Sequence, residues 1–151
     1  MERALVVVDP TTSNAELVRE AGRLAAGVDA SLVLFAPVTR DEYEEDVDVL
    51  STIEDVEGGS IDKRPGRIAD GVAERAATEY LADIDVSYET RGRLLDDGER
   101  ADAILEAAAD EECDYVFLIG TRRSPAGKAL FGDATQSVIL NFDGRVVVSA
   151  E

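Results

Sequence analysis

The sequence contains no histidine and no tryptophan, a single cysteine and four prolines, and aromatic residues make up only 5% of it. Each shortage excludes something. Without histidine the chain lacks the commonest general base near neutral pH and the commonest metal ligand. A lone Cys113 excludes an intramolecular disulfide and any cysteine-rich zinc site. No apolar run approaches the roughly 20 residues that a membrane span needs, and the chain does not open on a signal-peptide pattern. A cytoplasmic protein with no membrane partner is therefore expected. Basic residues are scarce too: 33 Asp and Glu stand against 15 Lys and Arg, a formal net charge of −18. Such a surface repels polyanions, so no nucleic-acid partner is expected.

Lysine is rarer still. Thirteen of the basic residues are Arg, leaving only Lys63 and Lys128. A hydrated acidic surface with little lysine suits concentrated salt, where a Debye length of roughly 3 Å at 1 M screens the self-repulsion. A salt-accumulating halophile is the expected source, with an ordinary acidic protein as the alternative.

What is present organises the chain as alternating strands and helices. Its 151 residues are one domain's worth, enough to bury one core. Leu5-Val6-Val7-Val8 is an apolar run closed by Asp9-Pro10, and such runs suit strands buried on both faces of a parallel sheet. Ser13-Asn14-Ala15-Glu16 fits a capping box, followed by a helical stripe of Leu17, Ala21, Leu24 and Val28. Leu32 to Phe35 predicts a second strand, stopped near Pro37. Residues 41–57 hold nine acids and no base, and the segment 41–60 reads as an acidic connection, with a lid as the alternative. Helical spacing returns from Pro65 to Leu81, with Ile68, Val72, Ala76 and Tyr80 on one face. Residues 85–90 alternate as an edge strand, with Val86 and Tyr88 inward. Asp96-Asp97-Gly98-Glu99 offers a cap for a third helix, whose stripe is Ala101, Ile104, Leu105 and Ala108. Tyr115 to Ile119 is another buried strand ending on Gly120. A loop from 121 to 128 leads to a fourth helix near Gly132, and Val146-Val147-Val148 closes the chain as a strand. The expected fold is α/β: a single domain over 1–151, an open doubly wound sheet of five parallel strands flanked by about four helices.

In such a sheet ligands bind beyond the carboxyl ends of the strands. That singles out Asp9 and Pro10, Ala36 and Pro37, and the loop opening at Gly120. Asp9 either hydrogen-bonds a ligand's ribose or base, or simply closes its strand. The loop carries Arg122, Arg123 and Lys128 among glycines at 120, 127 and 132. Three cations before a helix N-terminus, in a strongly acidic chain, form a candidate phosphate funnel. The alternative is a surface loop whose cations pair with neighbouring carboxylates. Asp133-Ala134-Thr135-Gln136 reads as a capping box in which the protein supplies its own anion. Ser124, Thr135 and Ser137 have no histidine to activate them, so a serine nucleophile is not expected. Asp96-Asp97 reads as a helix cap rather than a metal site, and Cys113 as a packing residue. An enzyme is the weakest class, and no metal is expected.

Taken in order, these features resemble the universal stress protein family. The resemblance rests on Val6-Val7-Val8-Asp9, on Gly98 through Leu105, on Asp114 through Gly120 and on Arg145 through Ser149, and it spans residues 3–149. It implies an adenine-nucleotide alpha-hydrolase-like fold with strand order 3-2-1-4-5, and a switch point between Asp9 and Gly120. It also implies a stress-linked regulator or binding module. Nucleotide-binding members carry Gly-x2-Gly-x9-Gly-Ser/Thr, with adenine near the strand-one aspartate and phosphates on the glycine loop. Here Gly120 matches, but Arg123 replaces the second glycine, the spacer to Gly132 is one residue short, and Asp133 replaces the hydroxyl residue. The implied ligand contacts are Val8, Asp9, Pro10, Ala36, Gly120, Arg122, Arg123, Gly127, Lys128, Gly132, Asp133 and Ala134. The expectation is a degenerate nucleotide pocket without enzymatic activity. The alternative is an ATP or AMP binder whose basic loop replaces the glycine motif. The terminal strand would be an apolar sheet edge, which invites pairing. The resemblance implies a homodimer through Arg145, Val146, Val147, Val148 and Ser149.

Overall fold

The structure is a computed structural model that describes residues 1–9, 14–40, 65–96, 98–120 and 131–150. Pro10, Asp97, the acidic segment 41–60 and the loop residues Arg122, Arg123, Gly127 and Lys128 lie outside the described residues. Chain order runs β1 (Arg3–Val7), α1 (Ala15–Gly27), β2 (Ser31–Thr39), α2 (Pro65–Tyr80), β3 (Ser87–Leu95), α3 (Arg100–Asp110), β4 (Tyr115–Gly120), α4 (Asp133–Asn141) and β5 (Arg145–Ala150). The sheet is five-stranded in the order β3-β2-β1-β4-β5, every pair parallel. This is the expected fold. Among the described residues no helix is long and apolar enough to cross a membrane.

The unbroken apolar run of β1 follows from its central place. Ala4 and Val6 pack with α1 and α2 on one face, while Leu5 and Val7 pack with α3 and α4 on the other. An alternating pattern would have put polar groups into one of these two cores. On α1 the buried residues are Leu17, Val18, Ala21, Gly22 and Ala25, so the expected stripe is rotated; Leu24 and Val28 are 47% and 58% exposed. Small residues win the buried face because α1 lies close to its neighbours: a Cβ on Gly22 would stand 2.7 Å from Leu81 Cδ2.

Two strands outrun their sequence-based limits. β2 continues through Pro37 to Thr39 beside β3, so Ala36 and Pro37 lie within the strand, not after it. The Val8 N–H donates to the Phe35 carbonyl, so Phe35, and Pro37 two residues on, turn their backbone groups toward β1. β1 has ended by that level, and a proline there removes no ladder hydrogen bond. β3 runs to Leu95, and Tyr88 is 44% exposed rather than inward. Its neighbour Glu89 belongs instead to a charged cover of Arg3, Arg91 and Glu111, with contacts of 2.8–3.1 Å.

Candidate functional site

Strand order reverses at β1, whose neighbours β2 and β4 lead away to opposite edges of the sheet. Val6 pairs with Phe117, so Asp9 and Gly120, three residues further along, leave the sheet at the same level. Val8 is buried and its N–H donates to the Phe35 carbonyl at 2.8 Å. The pairing of Val7 with Phe35 sets Ala36, fully buried, beside it. Thus Val8, Asp9, Ala36 and Gly120 do come together at the carboxyl ends of the central strands.

Asp9 does more than close its strand. Arg100, the first residue of α3, places Nη2 3.4 Å from Asp9 Oδ2, with the two side chains 28% and 23% exposed. Asn14 is 4% exposed and its Nδ2 donates to the Val7 carbonyl at 2.8 Å, tying the start of α1 to the end of β1. Asn14 is the N-cap of α1 yet makes no side-chain cap hydrogen bond. That departs from the expected capping box, of which Ser13 lies outside the described residues: the buried Val7 carbonyl is the competing acceptor. Sequence reasoning missed the site roles of both Arg100 and Asn14. A signal existed for Arg100, since a cation at the positive end of a helix macrodipole is disfavoured and needs a specific partner.

Gly120 has a packing reason to be glycine. A Cβ there would stand 2.7 Å from Val148 Cγ1 and 2.8 Å from Phe131 Cδ1. Across the site Gly132 is the N-cap of α4, with φ −63° and ψ 161°, and makes no side-chain cap. Asp133 is the first helical residue and is exposed, Ala134 follows half-buried, and Thr135 is buried. The expected capping box is not formed: Gln136 Nε2 donates to the Phe131 carbonyl at 2.9 Å instead of reaching back to residue 133. The cap has moved one residue toward the N-terminus because Gly132 takes the extended backbone. Asp133 nonetheless brings a carboxylate to the positive end of α4, where its charge is favourable.

Ser124 lies outside the described residues; the other described candidates are accounted for by the fold. Asp96 does not cap α3; its Oδ1 accepts from Arg40 Nε at 2.6 Å, and its N–H is taken by Glu99 Oε1 at 3.3 Å. Glu99 is the N-cap and makes no side-chain cap bond, while Gly98 supplies the turn with φ +85°. Ser137 accepts from Asn141 Nδ2 at its carbonyl, 2.8 Å away. Burial pushes the Cys113 thiol up to about 11, far from a reactive thiolate. Among the described residues no three acidic or thiol side chains converge on a point.

An open parallel sheet in this strand order has the adenine-nucleotide alpha-hydrolase-like fold. Within that class the chain belongs to the universal stress protein family, whose model matches residues 1–149. Solved structures share the fold. The universal stress protein UspA from Lactobacillus plantarum is 20% identical with a TM-score of 0.59, covering 98% of each chain. A universal stress protein from Archaeoglobus fulgidus is 21% identical with a TM-score of 0.56, again over 98% of each. A universal stress protein in complex with cAMP is 19% identical with a TM-score of 0.58, over 99% of this chain and 96% of that one. No curated protein matches the chain.

Proposed function

We propose that the protein is a non-enzymatic, cytoplasmic stress-response binding module with a degenerate nucleotide pocket, working as a homodimer in a salt-rich cell. The observation that carries this reading is Asp133 at the first position of α4. The free N–H groups of a helix N-terminus are the natural seat for a phosphate, and a carboxylate there competes for the same field. The sequence has no histidine and the described residues of the site assemble no nucleophile, which speaks against turnover. The net charge of −18 supports a salt-rich setting. Residues Val146 to Ser149 support the dimer, since β5 is a sheet edge with half-buried valines.

A second reading has a specific observation in its favour: a relative of the same fold is solved with cAMP. In that reading Arg122, Arg123 and Lys128 replace the missing glycine-loop contacts and the pocket takes ATP or AMP. Calorimetry with ATP, ADP and AMP, with and without magnesium at molar KCl, separates the two. The degenerate pocket predicts no heat at millimolar ligand for the wild type. It predicts about a tenfold gain in affinity for Asp133→Ser, from removing a charge that faces the phosphate. Micromolar binding of ATP by the wild type overturns the degenerate reading. Phosphate release from ATP by the purified protein would overturn the non-enzymatic one.

A further inference from the structure

The two turns that feed the strands on either side of β1 are built alike. Val28-Asp29-Ala30 leads from α1 into β2, and Glu111-Glu112-Cys113 leads from α3 into β4. In each, the third residue bonds back over the helix end: the Ala30 N–H donates to the Ala25 carbonyl and the Cys113 N–H to the Ala108 carbonyl, both at 2.8 Å. In each, the middle residue lies in the left-handed region, Asp29 at φ 59° and Glu112 at φ 54°. Glycine is the usual residue there, and a cation is favoured beside the last carbonyls of a helix. Both turns carry an exposed acid instead, and no described helix has a base in its last turn. Glu111 has Arg3 and Arg91 as partners, but neither Asp29 nor Glu112 forms an ion pair with a described residue. Beside Asp29 opens a cleft of about 260 Å³ whose other charged lining, among the described residues, is Glu2 and Asp85. At the opposite ends of the same two helices, Glu16 and Asp102 sit in the first turn, where a carboxylate is favourable.

We propose that α1 and α3 form an ionic-strength-responsive device: salt relieves the carboxylates at their C-terminal turns and weakens the hold of those at their N-terminal turns. Rising salt therefore moves rigidity from the carboxyl ends of the central strands to their amino ends. The physical basis is that a charge–dipole interaction acts within one turn of the helix end and is screened by mobile ions. At the N-terminal turns that interaction is attractive and screening costs order. At the Asp29 and Glu112 turns it is repulsive, and screening restores order to a backbone already held in an unfavourable region.

Amide hydrogen exchange of the full chain reads each turn separately. Ala30 and Cys113 report the C-terminal turns. Val18, whose N–H donates to the Asn14 carbonyl, and Ala103, whose N–H donates to the Glu99 carbonyl, report the N-terminal ones. Protection is compared at about 10 mM and about 1 M KCl, where the Debye length falls from roughly 30 Å to roughly 3 Å, each value being referred to an unfolded peptide at the same salt. Salt is expected to raise protection of Ala30 and Cys113 about threefold relative to Val18 and Ala103, the scale of one exposed charge–dipole contact. Asp29→Asn should abolish the gain at Ala30 and leave it at Cys113, and Glu112→Gln should do the reverse. Equal changes at all four amides overturn the proposal, since relief of the overall net charge would then be the cause. A gain at Ala30 that survives Asp29→Asn overturns it too. So does a gain produced by KCl but not by tetramethylammonium chloride, which would mark a bound potassium ion rather than screening.

Discussion

Asp114 illustrates how much one carboxylate can hold. Its two oxygens accept from the Glu2 N–H at 3.1 and 3.2 Å and from the Arg3 N–H at 3.0 Å, fastening the start of β1 to the start of β4. Burial opposes its ionisation, but the N–H groups of Arg3 and Glu2 outweigh burial and keep the carboxyl below the ordinary aspartate value. A carboxyl depressed by folding contributes stability that is present above its unfolded pKa, about 3.9, and is lost as pH falls through the lower folded value. Asp114→Asn is expected to cost about 1 kcal/mol at neutral pH, discounted for its exposure, and much less near pH 2. Urea midpoints at the two pH values check this, and an equal cost at both would contradict it. At this scale the sequence pointed to Asp9, because a carboxylate ending a buried strand is visible locally. It gave no view of Arg100 as its partner, because sheet packing rather than spacing brings α3 over β1.

At the scale of elements, the two edges of the sheet are treated differently. On β3 the outward N–H of Gly92 is taken by Asp70 Oδ1 of α2 at 2.8 Å. The helix comes so close that a Cβ at residue 92 would run into the Ala69 carbonyl carbon and the Asp70 amide. Gly92→Ala must push α2 away from β3 and is expected to cost about 3 kcal/mol, read from the urea unfolding midpoint. A cost within experimental error of zero would mean that α2 can slide without penalty. The helices were legible as periodic stripes, and the strands as apolar runs. Their ends were not: β2 runs past Pro37 because β1 has already stopped, and α4 starts one residue before the expected Asp133 box allows because Gly132 takes the cap. Each depends on a neighbour that local sequence does not display.

For the whole molecule, β5 is the edge through which assembly is proposed. The Arg145 N–H donates to the Asp114 carbonyl, so by alternation Val147 and Ser149 also face β4, while the N–H groups of Val146, Val148 and Ala150 point away from the sheet. Unlike β3, this edge has no described side chain on those amides, and Leu140 on the preceding helix is 79% exposed. Among the described residues this edge is uncovered, and such an edge can template another strand, which is the basis of the proposed dimer. Sedimentation at molar KCl is expected to give a dimer mass. Val148→Pro, which removes an outward N–H and leaves the amides facing β4 intact, is expected to give a folded monomer. A monomeric wild type at all salt concentrations would remove the dimer. Low salt should weaken association, because two chains of charge −18 then meet with little screening.

The sequence by itself determined the alternation of strands and helices, the parallel sheet and the acidic surface, since apolar periodicity and net charge are written in neighbouring residues and in composition. Tertiary structure alone decided which groups meet: Arg100 on Asp9, Asp70 on the Gly92 amide, Asn14 on the Val7 carbonyl and Phe131 against Gly120. Such pairings are set by sheet register and helix placement over tens of residues. Local propensity acts within a turn or two and carries no record of them.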